Sequence, residues 1–81
     1  MTTTTTRRDL LRLAEARRLA ATGAGRRIRV AAGLSQPELA RSIGVPHETV
    51  GRWERGERVP RHPAALRWAE LLLALDKGAD G

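Results

Sequence analysis

Between residues 7 and 21 the apolar side chains Leu10, Leu13, Ala14, Ala20 and Ala21 recur at three- and four-residue spacing, with Arg17 set among them. That period describes a helix with one apolar side, weakened at the arginine. Thr6 followed by Asp9 gives an N-cap and an acidic first turn, a capping-box pattern with Asp in place of Glu, so the predicted helix spans roughly residues 7–20. Thr22-Gly23-Ala24-Gly25 then interrupts the pattern, because Thr22 can cap and each glycine in a helix interior costs about 1 kcal/mol relative to alanine. A second helix is expected to run to Ala32, with Ile28 and Ala31 or Ala32 inward and Gly33 ending it in the left-handed conformation. Its outer surface is basic through Arg26, Arg27 and Arg29.

The next stretch is the most informative. Ser35 and Glu38 stand three apart as a capping box around Pro37, which suits a first turn because its missing N–H has no intrahelical partner to lose. A helix should begin at Gln36 with Leu39, Ala40 and Ile43 inward. Gly44 can then turn with positive φ, Val45 can plug the turn, and Pro46 can open another helix over about 47–55, with Val50 and Trp53 inward and Gly56 at its end. Two short helices joined by a glycine-containing turn make a helix-turn-helix pattern over 36–55. Val59-Pro60-Arg61-His62-Pro63 reads as a stiff connector, and a last helix is predicted from about Pro63 to Lys77 with Gly78 beyond its end. Leu66, Trp68, Ala69, Leu71, Leu72, Leu73 and Leu75 cover well over half of that helix, more than one core-facing stripe uses. A second cover is required there, either the first helix or another copy of the chain.

Composition narrows the class of function. Eighty-one residues predict one domain, here 7–78, between a lead-in over 1–6 and a tail over 79–81. The chain has no cysteine, so disulfides and Cys-based zinc sites are excluded, and a reducing, cytoplasmic setting is expected. Fifteen Lys and Arg against nine Asp and Glu give +6, which favours a polyanionic partner. Trp53 and Trp68 are the only aromatic residues, too few for the stacking platforms that hold single strands, so duplex DNA is preferred to RNA. The longest apolar run, around residues 71–75, falls short of the roughly 20 residues of a membrane span, and the N-terminus lacks the apolar segment of a secretory signal. His47 and His62 lie fifteen apart without a helical partner, so no metal site or other cofactor is expected. Ser35 and Ser42 lack a His–carboxylate arrangement, and no enzymatic role is expected.

Residues 28–60, above all AAGLSQPELARSIGV and RWERGERVP, resemble the phage repressor and Cro-like, XRE-type helix-turn-helix family. The resemblance implies an all-α, five-helix domain of the lambda-repressor type, here with an extra N-terminal helix, that binds duplex DNA and regulates transcription. By position it implies that the helix over 47–55 enters the major groove, with His47, Glu48, Thr49 and Arg52 toward the bases. Their chemistry agrees: Arg can grip guanine O6 and N7, Glu can accept from cytosine N4, and His can donate to a purine N7. Gln36 matches a position that bonds phosphate and braces a reading residue, while Arg41, Arg58 and Arg61 are basic side chains suited to phosphate. Arg29 and Glu54 match positions that form an ion pair between the first core helix and the reading helix.

Two positions depart from the pattern. Pro46 stands where the family has a Ser or Thr cap, and Gly51 interrupts the reading helix, either to let DNA approach closely or to make packing space against the preceding helix. A homodimer on two half-sites is expected, with Trp68, Leu71, Leu72 and Leu75 as its candidate interface, Trp68 being equally placed for the core. The alternative is a helix-turn-helix protein-interaction module, an antitoxin or anti-regulator, that holds a protein partner through the last helix. Neither reading involves a membrane or a small-molecule substrate.

Overall fold

The computed structural model describes residues 6–61 and 63–80; the predicted lead-in apart from Thr6, together with His62 and Gly81, lies outside the described residues. Among these residues there are five helices and no strand: α1 (Arg7–Thr22), α2 (Ala24–Ala31), α3 (Gln36–Ile43), α4 (His47–Glu54) and α5 (Ala64–Asp80).

Local chemistry accounts for most of the helix ends. The Asp9 N–H donates to Thr6 Oγ1 at 3.0 Å and starts α1. The Ser35 hydroxyl accepts from the Glu38 N–H while the Glu38 carboxylate accepts from the Ser35 N–H at 2.8 Å, so both halves of the capping box that opens α3 are present. At the turn between α3 and α4, Gly44 takes φ 76°, a conformation costly for residues with a Cβ, and the Val45 N–H closes the turn on the Ala40 carbonyl at 3.1 Å. After α4, the Glu57 N–H reaches the Arg52 carbonyl at 2.9 Å and the Gly56 N–H reaches that of Trp53, the paired bonds of a Schellman ending. Helix α5 departs from expectation, since it continues through Gly78 to Asp80. A glycine permits a left-handed stop without imposing one, and Gly78 is not among the glycines with positive φ.

The core is built from Ala16, Leu19 and Ala20 of α1, Leu39, Ala40 and Ile43 of α3, Val50 and Trp53 of α4, and Ala65, Trp68, Ala69 and Leu72 of α5. The rings of Trp53 and Trp68 meet at its centre, 4.9 Å between centroids and tilted by 48°. Helix α1 packs chiefly along α5 and also touches α2 and α4, while α3 packs chiefly on α4. The first helix is therefore the cover that the broad apolar surface of α5 requires.

Two expected faces differ in part. Of the expected stripe on α1, Leu13 and Ala20 do pack on the core, whereas Leu10, Ala14 and Ala21, around Arg17, form the outer side, and Leu10 and Leu11 remain 55% and 63% exposed. The side that carries no arginine at its centre, Ala16, Leu19 and Ala20, goes inward, because burying Arg17 unpaired would cost more than exposing two leucines. In α2, Ile28 faces the core as expected, with Ala24 and Gly25, whereas Ala31 and the adjoining Ala32 are exposed and Arg29, expected on the basic outer surface, is buried. Gly25 owes its identity to packing: a Cβ there would lie 2.8 Å from the Trp68 ring.

Candidate nucleic-acid interface

Helix α4 is amphipathic in a way that divides its residues cleanly. Val50, Gly51, Trp53 and Glu54 are buried, while His47, Glu48 and Arg52 are exposed and Thr49 is half-buried. The apolar side fixes the helix to the core and leaves one polar surface for a partner. His47 and Glu48 stand 3.7 Å apart at the tip, between Nε2 and Oε2. Pro46 caps α4 without a side-chain hydrogen bond, so the first N–H groups of this helix receive no hydroxyl.

Beneath that surface lies a buried polar network. The Arg29 Nε and Nη2 groups donate to Glu54 Oε2 and Oε1 at 2.6 and 3.0 Å, and Arg29 Nη1 donates to the Leu34 carbonyl at 2.6 Å. Gln36 Nε2 adds a further bond to Glu54 Oε1 at 3.0 Å. Arg29 and Glu54 are only 8% and 6% exposed, and the hydrogen bond to Glu54 holds the Arg29 pKa above its ordinary value against the opposing effect of burial. The network ties the end of α4 to the end of α2 and the start of α3, which sets how α4 projects. Gln36 thus uses its side-chain amide to brace Glu54 rather than holding it free. Gly51 lies under the same amide: a Cβ would sit 3.4 Å from Gln36 Oε1, an ordinary contact distance, and 3.1 Å from Nη1 at the end of the exposed Arg55 side chain, which has room to give way.

Arg67 is a positioning residue that the pattern of the sequence did not single out. From α5 its Nε donates to the carbonyl of Ile43 at 3.0 Å, satisfying the exposed end of α3 just where the turn into α4 begins. It registers in the sequence only as an interruption of an apolar run, and its role depends on which turn α5 passes.

Thr49, Arg58 and Arg61 are brought together. They line one depression beside α4 with Val45, Trp53, Val59 and Ala64. Arg58 and Arg61 are exposed; neighbouring Arg55 is engaged by Glu57, 2.7 Å between Nε and Oε2, which raises the Arg55 pKa and lowers that of Glu57. Arg41 is exposed on the last turn of α3, apart from that depression. The four interface candidates on α5 are divided. Trp68 and Leu72 are completely buried in the chain's own core, so neither offers surface to another copy, whereas Leu71 and Leu75 are partly exposed. Trp68 and Leu72 lie against Gly25 of α2, and Trp68 also meets Trp53 of α4, while α1 packs along the same helix.

No described helix is long and apolar enough to cross a membrane, and among the described residues no three metal-binding side chains come together. A family model described as helix-turn-helix matches residues 26–73, from within α2 into α5 and leaving α1 outside. No curated protein and no solved structure matches the chain.

Proposed function

Because the chain belongs to the XRE-type helix-turn-helix family of DNA-binding regulators, we propose that it is a sequence-specific transcriptional regulator of the phage repressor or Cro type that inserts α4 into the major groove. The observation that carries this reading is the division of α4 into a locked side, Val50, Trp53 and Glu54, and a free side, His47, Glu48 and Arg52. Arg52 can take guanine bidentately, Glu48 can accept from cytosine, and the Thr49 methyl can meet thymine. The backbone N–H of Gln36 at the start of α3 is suited to a phosphate, the capping box having taken those of Ser35 and Glu38, and Arg41, Arg58 and Arg61 contribute charge without reading sequence.

One helix reads few base pairs, so two copies on half-sites about 34 Å apart supply the specificity. The exposed parts of Leu71 and Leu75 are their proposed contact, and L71E lowering the sedimenting mass supports it. The protein-partner alternative would use the same exposed parts of Leu71 and Leu75, since Trp68 and Leu72 of the last helix are already covered.

Selection of bound molecules from a random duplex pool at about 150 mM salt, where non-specific attraction is reduced, tests the reading. Enrichment of an inverted repeat supports it. Recovery of DNA without enrichment contradicts sequence-specific reading.

A further inference from the structure

The sequence carries eight arginines and two acids in residues 1–33, but the fold distributes them unevenly. Arg8 and Arg12 share a depression with Asp9 and Glu70, Arg18 pairs with Glu15, Arg27 donates to the Thr22 carbonyl in a depression that Asp76 also lines, Arg29 is consumed by Glu54, and Arg7 and Arg26 stand exposed. Arg17 differs. It lines a depression of about 250 Å³ with Ala20 and Ala21 of α1 and with Gly56, Arg58, Val59 and Pro60 of the segment that leaves α4. Arg17 and Arg58 are both exposed, and no acidic residue lines this depression.

Arg58 and Val59 are also walls of the neighbouring depression that holds Thr49 and Arg61. A basic strip therefore runs from the flank of α4, through Arg61 and Arg58, onto Arg17 of a helix that lies outside the matched family region. Its floor is firm, with Pro60 buried, so the cations stand on a fixed surface. Two uncompensated cations on one small surface suit a polyanion better than a second copy of the chain, whose twofold contact there would oppose like charges.

We propose that the depression between α1 and the segment after α4 is a phosphate seat, in which Arg17 and Arg58 hold the backbone of the duplex that α4 reads, so that the N-terminal helix lengthens the DNA footprint. This rests on the DNA reading of α4. A phosphate neutralised by a cation releases a counterion, and each such contact contributes about 0.9 to the slope of log K against log salt concentration.

The test is a set of anisotropy titrations of the full chain, between about 50 and 200 mM salt, with a duplex long enough to extend past α4 on both sides. R17Q should lower the magnitude of the slope by about 1, R17K should keep it, and R8Q, an equal charge change on the same helix but beside Glu70, should leave it as in wild type. An unchanged slope for R17Q would overturn the proposal, as would equal losses for R17Q and R8Q, which would indicate a diffuse field. A change in sedimenting mass for R17Q with the slope retained would overturn it in favour of a contact between copies. Wild type that binds no duplex at any of these concentrations would overturn the reading of α4 itself, a result distinct from the others.

Discussion

A carboxylate that loses its water survives in an interior only when donors replace it, and Glu54 receives three, two from Arg29 and one from Gln36. Its removal leaves the Arg29 guanidinium buried without its counterion. E54A should therefore cost roughly 3 to 5 kcal/mol, seen as a fall of many degrees in a thermal melt, and a melt indistinguishable from wild type would show that the pair is not structural. Glu38 acts by the same chemistry at the surface. The Ser35 N–H, with the Ser35 hydroxyl second, holds its pKa below the ordinary value of 4.5. A carboxyl whose pKa is lower in the folded chain contributes stability above the unfolded value, and that contribution is lost as pH falls through the folded value. The melting temperature should decline as pH drops below 4.5, and E38Q should make that decline shallower. The resemblance of residues 28–60 pointed to Arg29 and Glu54 as partners, but the part of Gln36 was legible only in outline. Which acceptor its amide takes depends on the angle between α3 and α4, and no local pattern encodes that.

At the scale of helices, the decisive fit is between α2 and α5. An alanine in place of a helical glycine ordinarily stabilises by about 1 kcal/mol, yet at Gly25 the added methyl would meet Trp68 Cζ2 at 2.8 Å, within a ring that is fully buried and unable to withdraw. G25A should thus destabilise by about 1 to 3 kcal/mol in denaturant titration, and stabilisation instead would mean that α2 can shift away from α5. The helix ends were readable because caps act locally: Thr6, Ser35 with Glu38, Gly44 and Gly56 each terminate an element through contacts within a few residues. The faces were less so. On α1 the stripe through Leu10 and Ala14 and the stripe through Ala16, Leu19 and Ala20 are both apolar, and periodicity does not choose between adjacent stripes. The choice was made by the fit to α5 and by the need to keep Arg17 in water, both of which are tertiary matters. The packing of α1, α2 and α4 on α5 hides Trp68 and Leu72, which the sequence offered equally to a second copy.

For the molecule as a whole, the formal charge of +6 is carried by exposed arginines on all five helices. Arg52 on α4, and Arg58, Arg61 and Arg17 beside it, are among the exposed cations that hold no ion pair among the described residues, as are Arg7, Arg26, Arg41 and Lys77 elsewhere. In the proposed function the first four do different work, base reading for Arg52 and backbone attraction for Arg58, Arg61 and Arg17, and this difference can be measured. The selection from random duplexes should be run in parallel with wild type, R52A and R61A. R52A should lose preference at one base position at a cost of roughly 1 to 3 kcal/mol, while R61A should bind every sequence more weakly and keep the wild-type preference. Identical preferences for wild type and R52A would contradict the claim that α4 reads bases through its exposed side.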